Sequence, residues 1–299
     1  MDIKFNCNLS NKISSSAHCL YEGNVKNFLN DIDDESIQLL ITSPPYNIGK
    51  EYETRVDFES YLDNQIEIID QLINKISKRG SICWQVGNYV HPKNGEIIPL
   101  DIPFYNIFSK KGLKLRNRIV WHYGHGLHAN KRLSGRYETI LWFTKSDNYV
   151  FNLDDIRVPQ KYPGKRYPKG HKKEGKVSGN PLGKNPGDIW DIPNVKANHI
   201  EKTDHPAQFP TALVRRLIRG LSDKGDFIFD PYLGSGTTLV AAAIEERIGI
   251  GAEIKKEYYQ IIKKRLDDLS EGKNSFRDDI ATVIPDLNTK VAQVPEEFK

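Results

Sequence analysis

The chain has 299 residues, 38% hydrophobic and 10% aromatic, enough to bury one large core with an inserted lobe. A net charge of +4 neither demands nor excludes nucleic acid as a partner, so the distribution of charge has to decide. Cys7, Cys19 and Cys83 are an odd number without close pairing, and no N-terminal run is apolar enough for a signal peptide or a membrane span, so we expect a reducing, cytoplasmic setting and no membrane.

The apolar run Ile37 to Ile41 reads as a buried strand and ends in Thr42-Ser43-Pro44-Pro45-Tyr46-Asn47. Pro44 and Pro45 lack backbone N–H groups and hold the residues before them extended, so the loop is stiff and its carbonyls are free to accept hydrogen bonds. Tyr46 adds a flat ring beside those acceptors. A planar substrate bearing an amino group, such as a nucleobase, would stack on that ring while Ser43 and the Pro44 carbonyl accept from its NH₂. Ser, Pro and Asn are also ordinary turn residues, so a plain strand-to-turn connection is the competing reading.

Asp57 to Ile76 places Phe58, Tyr61, Leu62, Ile69, Leu72 and Ile76 at helical spacing; Gly80 to Gly87 reads as a strand, Ile102 to Lys110 as a helix and Leu115 to Trp121 as a strand. This alternation is a doubly wound α/β pattern. His122, His125 and His128 follow, but the glycines between them fix no geometry and no cysteine or carboxylate is interleaved, so no metal is expected. From Asn152 to Ala197 the pattern breaks into Pro, Gly and Lys without an apolar period. Within it Arg157, Lys161, Lys165, Arg166, Lys169, Lys172, Lys173, Lys176 and Lys184 face a single acid, Glu174, with Tyr162 and Tyr167 interleaved. Such a stretch suits phosphate contacts, although an isolated charge run is more often a solvated loop.

The alternation resumes at Thr211. Asp226 to Phe229 leads through Asp230-Pro231-Tyr232-Leu233-Gly234-Ser235-Gly236-Thr237-Thr238 into the helical run Leu239 to Ile244, which is strand, glycine turn, helix. Gly234 and Gly236 would let a ligand approach the backbone, and Glu253, at the end of the next apolar stretch, is placed to bind ribose hydroxyls. No Gly-Lys-Thr or Gly-Lys-Ser is present to hold a triphosphate, and Asp230 would repel a pyrophosphate, so the expected ligand is a nucleoside with a cationic group. The tail after Gly272 is polar and weakly patterned, and is expected to pack on the surface or fray.

Together the two motifs resemble those of the DNA amino-methyltransferases, S-adenosylmethionine-dependent enzymes that methylate the exocyclic amine of cytosine or adenine. Ser43 to Tyr46 matches the catalytic motif and Asp230 to Thr238 the cofactor motif, with Tyr232 where Phe is usual. The catalytic motif comes first, similar to the permuted beta group. Tyr21-Glu22-Gly23-Asn24 resembles the adenine-contacting turn, with Asn24 in place of Asp; His205 to Pro210, before the helical run Leu213 to Ile218, resembles the motif supporting the methionine end of the cofactor; and Arg136 to Phe143 resembles the strand after the catalytic half.

The resemblance implies a Rossmann-like methyltransferase sheet with an inserted basic target-recognition region: a catalytic half over 1–151, the insert over 152–200, and the cofactor-binding half with the tail over 201–299. It assigns catalysis to Ser43, Pro44, Pro45 and Tyr46, and the cofactor to Asn24, His205, Pro206, Pro210, Asp230, Pro231, Gly234, Ser235, Gly236, Thr237, Thr238 and Glu253. Because the insert lies where the permuted order puts target recognition, Arg157, Lys161, Lys165, Arg166, Lys169, Lys172, Lys173 and Lys176, with Lys131 and Arg132, are expected to contact double-stranded DNA. The target base would be flipped out of the duplex, and Ser43 would relay the amine's proton to water. Ser at the first motif position favours cytosine; adenine, RNA or protein glutamine as substrate, and a non-catalytic DNA-binding specificity subunit, stay open. A restriction-modification setting with a cognate endonuclease, and a homodimer, are further expectations.

Overall fold

The structure is a computed structural model that describes residues 2–5, 17–124, 126, 128–196, 199–273, 276–277, 289 and 293–298; Cys7 and His125 lie outside them. In chain order the strands are β1 (Asp2–Phe5), β2 (Ala17–Glu22), β3 (Ile37–Thr42), β4 (Ile76–Val86), β5 (Asn88–Val90), β6 (Ile97–Pro99), β7 (Lys114–His122), β8 (Tyr137–Thr144), β9 (Ile189–Asp191), β10 (Phe227–Asp230) and β11 (Ile248–Glu253). The helices are α1 (Val25–Phe28), α2 (Phe58–Lys75), α3 (Asp101–Lys110), α4 (Thr211–Leu221), α5 (Thr237–Ile244) and α6 (Lys256–Ser270).

Among the described residues nine strands form one sheet, in the order β1-β2-β11-β10-β3-β4-β8-β7-β9, and β5 pairs β6 apart from it. Neighbours from β1 through β4 are parallel; β8 is antiparallel to β4 and β7. All six residues of β3 are buried, as expected of a strand covered on both faces. Side-chain alternation sorts the two layers: Trp84, Leu141 and Phe143 pack with Leu72, Phe104 and Phe108 of α2 and α3, whereas Cys83, Ile140 and Trp142 pack with Leu213, Leu217 and Ile218 of α4. The expected doubly wound α/β fold is the one observed.

β10 leads through α5 to β11 on one side, and β3 leads through α2 to β4 on the other, although β10 and β3 are adjacent. The chain thus departs in opposite directions from their carboxyl ends and opens a crevice there, the place where open α/β sheets bind ligands.

Two boundaries differ from expectation. The strand expected from Gly80 begins at Ile76, because the chain leaves α2 directly in extended geometry; a side chain at Gly80 would come within 2.6 Å of Ile76 Cγ2 and 3.0 Å of the Gln38 carbonyl. The insert also returns to the sheet before it ends, since β9 pairs in parallel with β7 and buries Trp190. The excursion proper is closed by reciprocal Val158–Lys184 backbone bonds of 3.0 and 2.9 Å, bridged again at Arg166 and Val177, and tipped by turns between Tyr167 and Lys176. Of the tail, Arg277 N donates to Glu201 Oε1 at 3.0 Å and Glu297 pairs with Arg166 at 3.0 Å.

Candidate active site

The two motifs meet through Asp230. It stands at the end of β10, buried, and its carboxylate accepts from Thr42 Oγ1 at 2.7 Å, Thr238 Oγ1 at 2.6 Å and Tyr232 N at 3.0 Å. One side chain therefore ties the end of β3, the glycine turn and the first turn of α5 together. Burial raises its pKa to about 6, against the three hydrogen bonds that favour the ionised form.

The glycine turn is filled by protein. A Cβ at Gly234 (φ +53°) would fall 2.9 Å from His205 Nε2, and one at Gly236 (φ +75°) 2.7 Å from Ile262 of α6. Their amides are engaged as well, Gly234 N with Glu253 Oε2 at 2.8 Å and Gly236 N with the Leu233 carbonyl at 2.7 Å. Both glycines are thus required by left-handed backbone and close packing, and the openness to a ligand expected at these two Cβ positions is not found. Glu253 closes the same turn, its other oxygen accepting from Lys255 N at 2.8 Å, and burial raises its pKa to about 7. Gly23 N donates to the Glu253 carbonyl at 2.9 Å, which brings Asn24 to this edge; Asn24 caps α1 by accepting from Lys26 N at 3.0 Å. His205 is buried between Tyr52 and Tyr258, with ring centroids 5.8 and 4.4 Å away, and burial lowers its pKa to about 4. The turn, Glu253, Asn24 and His205 hence line one edge of the crevice. Asp230 and Glu253 place two carboxyl groups at this edge, which suit a nucleoside carrying positive charge when they are ionised.

The loop Ser43 to Tyr46 lies across the crevice. Tyr61 of α2 donates to the Pro45 carbonyl at 2.9 Å, and Glu53 accepts from the amides of Asn47, Ile48 and Gly49 at 2.7, 2.6 and 2.9 Å, folding the following loop back on itself. Ser43 Oγ and Tyr46 OH are 3.1 Å apart, and Tyr46 OH donates to Glu138 Oε2 at 3.2 Å. Gln85 Nε2 donates to the same oxygen, while Gln85 Oε1 is buried without a hydrogen-bond partner. The Tyr46 ring edge lies on Gly87, where a Cβ would meet Tyr46 Cε2 at 3.1 Å. The ring is held at both its hydroxyl and its edge.

Glu138 is not among the residues that the sequence singles out. β8 runs antiparallel, so its first residues reach the edge where the parallel strands end, and Glu138 enters the row of Ile140 and Trp142. Its one signal in the sequence is a carboxylate in the same row of that strand as the apolar Ile140 and Trp142. Burial raises its pKa to about 7, against the bonds from Tyr46 and Gln85.

The basic residues do not behave alike. Lys161, Lys165, Lys169, Lys172, Lys173 and Lys176 are exposed on the excursion, and Lys131 and Arg132 on the loop before β8. Arg157 is pinned to Asp154 at 2.6 Å and to the Gly183 carbonyl at 3.2 Å, and Arg166 to the Gly175 carbonyl at 2.9 Å and to Glu297. These two arginines hold the excursion's shape. His122 bonds to Asp191 at 3.1 Å, and among the described residues no cluster of three metal-ligating side chains occurs.

The Ser-Pro-Pro-Tyr loop and the glycine turn that meet at this crevice are the two motifs that resemble those of the DNA amino-methyltransferases, and known proteins bear the resemblance out. The DNA methylase family N6_N4_Mtase matches residues 37–264. Type II methyltransferase M.BglII of Bacillus subtilis is 49% identical over 86% of this chain and 71% of its own length, and M.ScaI of Streptomyces caespitosus 38% over 83% and 81%. DNA adenine methyltransferase YhdJ of Escherichia coli K12 is 32% identical over 93% of this chain and 97% of its own. The chain belongs to the N6/N4 DNA methylase family. Among solved structures, PvuII DNA methyltransferase (cytosine-N4-specific) superposes with a TM-score of 0.64 at 20% identity, covering 87% of this chain and 95% of its own. A Thermus thermophilus protein in complex with S-adenosyl-L-methionine superposes at 0.59 and 27% identity, covering 83% and 92%. This is a DNA methyltransferase of restriction-modification type, and S-adenosylmethionine is its methyl donor.

Proposed function

We propose that the chain methylates the exocyclic N4 of a flipped cytosine in duplex DNA, using the crevice between β3 and β10. The Thr42–Asp230 bond carries this reading, because it fixes the amine-accepting loop against the acidic cofactor edge. S-adenosylmethionine supplies an electrophilic methyl group on a sulfonium. Asp230, Pro231 and the turn from Gly234 to Thr238 would border it, Glu253 and Asn24 its nucleoside end, and His205, Pro206 and Pro210 its methionine end.

Extrusion of the base costs roughly a few kcal/mol, which stacking on the anchored Tyr46 ring offsets in part. Tyr61 already takes the Pro45 carbonyl, so Ser43 Oγ and the Pro44 carbonyl are the acceptors for the amine. Their two hydrogen bonds draw the nitrogen toward tetrahedral geometry and aim its lone pair at the methyl group, so that positioning supplies much of the rate. The exposed lysines of the excursion hold the DNA backbone, where one phosphate charge per contact is neutralised.

Ser43 at the head of the motif and the fold match to PvuII methyltransferase favour cytosine; the 32% identity to an adenine methyltransferase favours adenine as the second reading. Nucleotide-resolved mapping of methylated bases in DNA from cells expressing the chain tests both. N4-methylcytosine at one short sequence is expected. N6-methyladenine there would replace the first reading with the second, and unmodified DNA beside intact cofactor binding would favour a specificity subunit. A companion endonuclease acting on that sequence is the partner this reading entails, and sedimentation measured on and off DNA would test the homodimer.

A further inference from the structure

Ser43 Oγ, Tyr46 OH and Glu138 Oε2 form a continuous chain with steps of 3.1 and 3.2 Å, running from the catalytic loop to a carboxylate on β8. Tyr46 has one hydroxyl proton, and it is committed to Glu138. The Ser43–Tyr46 contact must then be made by the serine proton, which leaves the lone pairs of Ser43 Oγ to accept from an amine. Gln85 Nε2 donates to the same Glu138 oxygen, an arrangement that suits an ionised carboxylate.

We propose that Glu138 is the positioning residue that orients Ser43 as an acceptor and the terminus that receives the proton released by methylation. The inference deepens the proposed function and rests on its reading of Ser43 to Tyr46 as the catalytic loop. As the N–CH₃ bond forms and the S–CH₃ bond breaks, the bonding pair stays on sulfur as a thioether and the amine nitrogen becomes cationic. It gives a proton to Ser43 Oγ, the serine proton passes to Tyr46, and the tyrosine proton passes to Glu138. No extra proton is left on the loop, and Glu138 returns it to solvent after product leaves. Relay to water directly from Ser43, expected from sequence, is thereby replaced by a path through protein. Protonated Glu138 would donate to Tyr46, reverse both bonds and turn the serine proton toward the amine, which blocks acceptance.

The groups facing Glu138 are Tyr46 from the loop after β3, Gln85 of β4, Tyr52 from the loop before α2, and Tyr123 after β7 with Arg136 beside it. Burial pushes Tyr46 and Tyr52 well up and Tyr123 to about 12, while Glu138 itself stands near 7, so the carboxylate is the member of this group that titrates near neutrality.

The test is single-turnover transfer of a tritiated methyl group from S-adenosylmethionine to unmethylated bacterial genomic DNA, with enzyme and cofactor saturating, between about pH 6 and about pH 8. The parent rate should rise about tenfold over this span. Glu138→Gln and Tyr46→Phe, which keeps the ring, should be slower at pH 8 and change by less than about twofold over the same span. A folded Glu138→Gln protein that keeps the parent's rising limb overturns the inference, and so does a flat parent profile. Should Glu138→Gln fail to fold, the Tyr46→Phe profile decides in the same way, flat in favour and steep against. If the parent binds cofactor yet transfers no methyl to any DNA, the catalytic reading falls and takes this inference with it; transfer with a limb that neither variant alters overturns the inference alone.

Discussion

At the crevice, Asp230 takes three hydrogen bonds inside the core, and Tyr46 is held at both ends; on the excursion, lysines stand exposed on turns closed by backbone bonds. The first region fixes atoms and the second presents charge. A reacting amine has to be held within a fraction of an ångström, which only groups locked by neighbours achieve. A phosphate backbone asks for charge near the right place and tolerates side chains that find their own rotamers. The cost of substitution should therefore be concentrated and large in the crevice, and small and additive on the excursion.

The contrast between the regions breaks most readily at Asp230. Asp230→Ala leaves Thr42 and Thr238 hydroxyls and the Tyr232 amide without their acceptor, each worth about 1–3 kcal/mol when buried. We expect a loss of several kcal/mol in denaturant unfolding together with loss of cofactor binding by calorimetry. Wild-type stability in this variant would mean that the two motifs are not joined through this residue.

The next largest effects separate the two ends of the proposed catalytic loop, Ser43 and Tyr46. Ser43→Ala should lower single-turnover transfer by about a hundredfold, the cost of losing one preorganised hydrogen-bonding group, and a mismatched target base should not restore it. Tyr46→Ala removes a stacking platform of about 1–3 kcal/mol, and a mismatch should recover part of that loss because extrusion is cheaper. Equal rescue of both would deny them separate tasks.

These contrasts also mark what is legible in the sequence. β3 and β10 are readable because strands buried on both faces are continuous apolar runs, and the motifs at their ends follow directly in the chain. β9 is not, because three residues between prolines carry one buried side chain and no period. Glu138 is not, because its place depends on β8 pairing antiparallel with β4. Gly236 reads as an opening for a ligand, whereas its neighbour is Ile262, brought there by the packing of α6 on α5. In each case the sequence carries local geometry, and what it lacks is a register or a helix contact between distant segments. Replacing Gly236 with Val would therefore strike α6 and strain the backbone, so that it tests packing before it tests the cofactor.

On the excursion the same reasoning divides the cations. Neutralising Lys169, Lys172, Lys173 and Lys176 should flatten the log–log salt dependence of DNA binding by up to about 0.9 for each phosphate no longer neutralised. Arg157→Gln should leave that slope unchanged while lowering stability, because its guanidinium is already bound to Asp154 and the Gly183 carbonyl. Fluorescence anisotropy on duplex DNA across a salt series reads both. A slope indifferent to the four lysines would make the excursion a solvated loop, and a slope that follows Arg157 would erase the distinction between holding shape and presenting charge.

The smallest expected effect is a pH dependence of stability that belongs to the crevice. Glu253 is buried and its folded-state pKa is raised from 4.5 to about 7, chiefly by burial. Between those values the folded chain holds a proton that the unfolded chain has released, so unfolding gives up a proton and its free energy falls as pH rises. The stability is fully present below the unfolded value and is lost through about 7, the reverse of a salt-bridged carboxylate. The limiting slope is on the order of 1 kcal/mol per pH unit for this one group. Glu253→Gln retains an acceptor for Gly234 N or Lys255 N but cannot titrate. Urea unfolding of the cofactor-free protein at about pH 5, 6, 7 and 8 should therefore give a parent curve that declines more steeply with pH than the variant's, with the difference confined to that window. Parallel curves would mean that Glu253 is ionised throughout, held so by the two amides it caps, and that burial does not govern its charge.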